Sequence, residues 1–162
     1  MAMIVCAGLA VATPVQAQVQ FGVQLPWADD FDWGLGARAS FDTGTIVPAS
    51  RVIASFDLYF PDAGRFENDM DFWELNANAL YGLPFGNATV SPYVGAGVHF
   101  HHFESELDAF LFPDETVTDD GVGLNVLGGV EFPIPSPIKP FVELKIEIGG
   151  AEQWTLTSGI MF

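Results

Sequence analysis

Along most of this 162-residue chain, apolar side chains alternate one for one with polar or small ones. That period puts residues i, i+2 and i+4 on one face of an extended strand. It restricts the fold to sheets with two chemically different faces. Eight runs carry the pattern: 18–25, 32–41, 51–60, 71–82, 90–100, 122–132, 141–148 and 153–162. In the first, Val19, Phe21, Val23 and Leu25 oppose Gln18, Gln20, Gly22 and Gln24; in the fourth, Trp73, Leu75, Ala77, Ala79 and Tyr81 oppose Glu74, Asn76 and Asn78. Pro92 and Pro140 stand near strand starts, where a missing N–H does least harm.

The connections alternate as well. Segments 26–31, 61–70, 102–120 and 149–152 are acidic or long, whereas 42–50, 83–88 and 133–138 are rich in Gly, Pro, Asn and Thr and hold a single acid, Asp42. Eight strands of about ten residues, joined this way, predict an all-β fold. It is an eight-stranded antiparallel up-and-down barrel with two different ends.

Period two does not say which face points inward; the distribution of side chains does. On the apolar face, Trp33, Phe60, Trp73, Phe100 and Trp154 gather at one end and Phe41, Tyr81, Phe132 and Phe162 at the other. Mostly Ala, Val, Leu and Ile lie between them. Two aromatic girdles around an aliphatic band are what two lipid–water interfaces select. The other face carries Arg38, Arg51, Lys139 and Lys145, four of the five basic residues, together with Asp57, Glu74, Glu131, Glu143 and Glu147. Near balance of charge, in a chain of net charge −16, is expected where charges are confined together and must pair. The apolar face is therefore predicted to meet lipid, making residues 18–162 a transmembrane β-barrel. Eight strands enclose only enough room for side chains. The nine charged residues are expected to form an interior polar network rather than an open pore.

The first residues follow a different rule. About twelve small or apolar residues lead to Val15-Gln16-Ala17, a small-residue site of the kind that ends a secretory signal peptide. Removal of 1–17 would take away Cys6, the single cysteine, so no disulfide framework or cysteine metal cluster is expected. Net charge −16 repels phosphate backbones and excludes nucleic acid as a natural partner.

The closing strand, Trp154-Thr-Leu-Thr-Ser-Gly-Ile-Met-Phe162, alternates and ends on an aromatic residue. With the eight runs and the girdles, it resembles the small eight-stranded outer-membrane barrels of Gram-negative bacteria, the OmpA/OmpX-like class. The resemblance implies residence in the outer membrane among its lipids. It also implies insertion by the outer-membrane assembly machinery, which reads the C-terminal strand ending in Phe162. A monomeric, non-enzymatic structural or surface-interaction protein without cofactor is the expectation. Two other readings stay open: a lipid A deacylase-like enzyme, for which Ser105 lies beside histidines, and a secreted lipocalin-like carrier.

Other candidate chemistry is sparse. His99, His101 and His102 are all the histidines; His99 and His101 share the inner face, and Glu104 and Glu106 follow. They are weak metal candidates because the ligand set is incomplete. Asp114, Glu115, Asp119 and Asp120 lack the spacing of a calcium loop. The 103–120 connection holds Phe110, Leu111 and Phe112 among acids, which suits either a surface-ligand site or a hairpin that extends the wall.

Overall fold

A computed structural model describes residues 19–60, 70–85, 89–109, 112–150 and 152–162. The expected export segment and most of the 61–70 connection lie outside the described residues. The strands are β1 (Val19–Ala28), β2 (Asp32–Asp42), β3 (Ser50–Tyr59), β4 (Met70–Gly82), β5 (Ser91–Ala109), β6 (Phe112–Glu131), β7 (Lys139–Ile148) and β8 (Trp154–Met161). They close into one barrel in sequence order, each antiparallel to the next, with β8 returning to β1. The strand ends at Asp42, Ser50, Gly82, Ser91, Glu131 and Lys139 gather at one end, the turn end. The β5–β6 hairpin projects from the other, the hairpin end.

Side-chain alternation maps onto the wall directly. Outward Phe21, Leu124 and Val126 are 58%, 59% and 51% exposed, while inward Glu74, Asn125 and Thr155 are at 1% or less. Exposed Leu35, Leu58, Val98, Ile146 and Leu156 extend the band around the barrel. An apolar surface of that extent has lipid as its solvent, since water-facing proteins keep such patches to a few hundred Å². Closure leaves the wall no edge, so its N–H and C=O groups are paired without water.

The girdle residues sit at the rims. Trp33 and Phe60 are exposed at the hairpin end, where the Phe60 N–H donates to the Trp33 carbonyl at 2.8 Å. Trp73 packs between Phe56 and Phe100, with ring centroids 5.8 and 5.5 Å away. Trp154 meets Trp27 edge-on at 5.0 Å. At the turn end Phe41, Tyr81 and Phe162 are exposed and Phe132 partly so. Phe162 exchanges two backbone hydrogen bonds with Phe21, at 2.7 and 3.1 Å, and so helps to seal β1 to β8.

Of the two readings of 103–120, the ladder shows the hairpin that extends the wall, and two other features, in β1 and in the interior, depart from the sequence reading. β5 and β6 run 19 and 20 residues, so the 102–120 connection is largely a paired hairpin, with Glu104 opposite Thr118 and Leu107 opposite Glu115. Above the girdle both faces of a strand meet water, and the alternation that marks strands in lipid disappears. β1 continues to Ala28 through Pro26. The β1–β2 ladder skips Leu25 and Pro26 because proline has no N–H to donate, while the β1–β8 ladder continues past them. The interior also holds apolar plates: Ile53, Leu80, Tyr93 and Leu127 near the turn end, and Ala28, Tyr59 and Phe72 near the hairpin end.

Candidate functional site: the barrel interior and its two ends

Inner residues stack level by level because every second residue of every strand points to the axis. Midway, Lys145 of β7 donates to Glu74 of β4, reaches Glu147 at 2.7 Å and bonds Asn76 Oδ1 at 3.0 Å. Gln153, just before β8, donates to Glu147 at 2.8 Å and to Glu74 at 3.4 Å. Asp57 accepts from Gln24 at 2.6 Å, Ser55 at 3.2 Å and Asn76 at 3.4 Å. Nearer the turn end, the Arg38 guanidinium grips Glu143 with two hydrogen bonds, 2.6 and 3.2 Å, and stacks 4.3 Å from the Phe141 ring centre. Tyr93 donates to the same carboxylate at 2.8 Å. Stripping water from such charges costs several kcal/mol each, so this layer persists through its pairings.

Apolar plates lie on either side of the charged layer. Ile53, Leu80, Tyr93 and Leu127 sit below it. Above it are Tyr59 and Phe72, with Phe31 stacked on Phe72 at 3.8 Å and Phe103 6.1 Å from Phe31. Among the described residues, charged groups and apolar plates thus alternate along the interior.

The nine expected network residues divide in two. Arg38, Asp57, Glu74, Glu143, Lys145 and Glu147 meet in the middle layer. Arg51 and Glu131 pair at 2.6 Å at the turn-end mouth, where Arg51 also lies 5.0 Å from the Tyr93 ring centre. Lys139 lines that mouth and has no carboxylate in ion-pair range among the described residues. Gln24, Asn76, Asn125, Gln153 and Tyr93 also belong to the network but carry no charge to mark them in sequence. Asn125 bridges Asn76 and Asn78, at 2.7 and 3.0 Å.

His99 and His101 are buried on the inner face with ring centres 5.8 Å apart. His99 Nδ1 pairs with Asn125 Oδ1 at 2.7 Å, whereas His99 Nε2 and His101 Nδ1 are unpartnered. A Cβ built on Gly150, whose φ is +72°, would lie 3.6 and 3.2 Å from those two nitrogens. The same Cβ would lie 2.6 Å from His101 Cε1, so the His101 ring packs directly against the glycine. Among the described residues no group of three or more His, Cys, Asp or Glu side chains is arranged to hold a metal ion. His102 faces outward just beyond the girdle, 2.6 Å from Asp120 and 3.7 Å from Glu104.

Comparison with known proteins agrees with this geometry. The N-terminal β-barrel domain of Pseudomonas aeruginosa OprF superposes with a TM-score of 0.67 at 15% identity, covering 91% of this chain and 98% of that one. Neisserial surface protein A gives 0.56 at 17% identity, covering 88% and 94%. Ail, the attachment invasion locus protein of Yersinia pestis, gives 0.53 at 16% identity, covering 89% and 96%. No curated protein sequence matches the chain. A family model described as the outer membrane protein beta-barrel domain matches residues 3–151. With its lipid-facing apolar wall and closed antiparallel ladder, the chain belongs to the outer membrane protein beta-barrel domain family and is a protein of the bacterial outer membrane.

Proposed function

We propose that this outer-membrane barrel is non-enzymatic, closed to steady ion flow, and acts at the cell surface through its β5–β6 hairpin. One observation carries the reading: among the described residues, β6 from Phe112 to Gly123 pairs with β5 alone, and its ladder to β7 begins only at Leu124. A projecting strand with one unpaired edge is a template for strand addition by an extended partner segment. Outer-membrane barrels keep short turns toward the periplasm and long connections outside, so the hairpin faces the exterior and the turn end the periplasm. Export by residues 1–17, and assembly through β8 and Phe162, belong to the same reading. The charged layer between two apolar plates supports closure, because an ion crossing it must displace both paired carboxylates and packed rings.

Charge narrows the class of partner. The hairpin end carries exposed Asp29, Asp30, Asp119, Asp120 and Glu152, and no Lys or Arg among the described residues. Ail has been seen with a heparin analogue, sucrose octasulfate; the acidic end of this chain suits a basic, extended segment instead. The test uses nanodisc-embedded barrel, a biotinylated Lys-rich β-strand peptide and a heparin oligosaccharide. The peptide should bind, in a salt-dependent way, and the oligosaccharide should not. A variant with 106–116 replaced by a two-residue turn, which shortens the unpaired edge, should fold and bind the peptide more weakly. Equal binding by that variant overturns the reading, as does steady conductance of the intact barrel in planar bilayers.

A further inference from the structure

The turn-end mouth holds a cup of about 290 Å³ that the middle network does not use. Gln20, Ser40, Arg51, Ser91, Glu131 and Lys139 are among its walls. Tyr93 is its floor and belongs to the apolar plate with Ile53, Leu80 and Leu127, so the cup ends blind.

Its formal charges balance, Arg51 and Lys139 against Asp42 and Glu131, but its hydrogen bonding is uneven. Arg51 is committed to Glu131 at 2.6 Å, and Asp42, also on the wall, accepts the Gly44 N–H of its own turn at 2.7 Å. Lys139 is half-buried and lacks a carboxylate, unlike Arg38, Arg51 and Lys145, the other described cations. The side chains of Gln20, Ser40 and Ser91 make no hydrogen bond to another described residue, yet all line the cup. One ammonium, two hydroxyls and an amide thus converge on a space with a low-dielectric floor, where each charge-assisted hydrogen bond gains strength.

We propose that this cup binds a small anionic group, a carboxylate or a phosphate. Lys139 would supply the charge, and Ser40, Ser91 and Gln20 the hydrogen bonds. The volume admits such a group with a few waters and excludes a whole lipid or glycan. If the turn end faces the periplasm, as proposed above, two sources offer this chemistry: phospholipid headgroups of the inner leaflet, and free carboxylates of cell-wall peptides. The site itself does not depend on that orientation.

The test is an NMR titration of the full chain in zwitterionic nanodiscs, at constant ionic strength, with sodium phosphate and separately with N-acetylglycine. Saturable amide shifts at Ser91, Tyr93 and Lys139 are expected with at least one probe. Lys139→Gln should weaken that binding about tenfold or more, the loss of one charge-assisted hydrogen bond. Ser91→Ala should weaken it less. Glu131→Gln, which frees Arg51, should tighten it. In nanodiscs containing phosphatidylglycerol, shifts present before any probe is added identify the headgroup as the source; their absence, with probe binding retained, identifies the soluble anion. No saturable shift in either membrane, or unchanged affinity in Lys139→Gln, overturns the site.

Discussion

Lys145 has two carboxylates to answer, Glu74 and Glu147, and all three side chains are buried. Replacing it with Met leaves both acids buried without their cation. We expect Lys145→Met to cost about 3–5 kcal/mol in urea unfolding from micelles, the usual penalty for breaking a buried pair from one side. Adding Glu74→Gln should recover a substantial part; strictly additive losses would show that the two do not share a network. Ala49 gives the opposite sign. Its φ is +61°, a left-handed conformation that costs an L-residue roughly 1–2 kcal/mol, while its carbonyl accepts the Gly82 N–H at 2.8 Å. Ala49→Gly keeps that hydrogen bond and removes the Cβ clash. After the entropy that glycine adds to the unfolded chain, a gain of up to about 1 kcal/mol is expected in the same assay.

Among the elements, the β5–β6 hairpin stands apart because it leaves the barrel wall at a defined base. His102 stands there on the outer face, two residues beyond Phe100 of the girdle, with the Trp73 ring tilted against it at 5.3 Å. Its hydrogen bond to Asp120 at 2.6 Å, and the nearby charges of Asp120 and Glu104, hold its pKa above the ordinary value. The folded hairpin therefore favours the imidazolium. That contribution is complete below the unfolded pKa of about 6.5 and fades as pH rises through the raised folded value. Hydrogen exchange at 103–106 and 116–120 should be slower, relative to a barrel amide such as Leu144, at pH 6 than at pH 8.5. Asp120→Asn should shrink that difference, leaving the smaller part that Glu104 supplies. An unchanged ratio in the native chain would mean that the pair does not fasten the hairpin.

For the whole molecule, the decisive property is which solvent each face meets. Ala77 and Val126 point outward at mid-strand, so Ala77→Arg or Val126→Arg should each cost about 2–4 kcal/mol in vesicles. Val19 lies opposite Phe41 at the rim, and Val19→Arg should cost about 0–1 kcal/mol, because the long side chain reaches the headgroups. A flat profile across the three positions would mean that lipid does not face this wall. The same depth profile separates a membrane barrel from a water-soluble carrier, whose outer face would accept arginine at every height.

What the amino-acid sequence determines by itself is whatever follows from a period of two. That Trp73 and Glu74 point in opposite directions is a local consequence of strand geometry. So are the eight runs, the rims set by Trp33 and Phe41, and the inward placement of Arg38 and Lys145. Partner choice is not local. Lys145 meets Glu74 from 71 residues away, Arg38 meets Glu143 from 105, and Asn125 meets Asn76 from 49. Each pairing depends on the stagger with which eight strands close, and no window of sequence contains that stagger. Arg51 shows the limit: the acids Asp57, Glu74, Glu131, Glu143 and Glu147 all share its face, and only closure puts Glu131 beside it and leaves Lys139 without one. The hairpin's length was hidden for another reason. Alternation records a boundary between lipid and interior, and above the girdle, where water meets both faces, there is no such boundary to write into the chain.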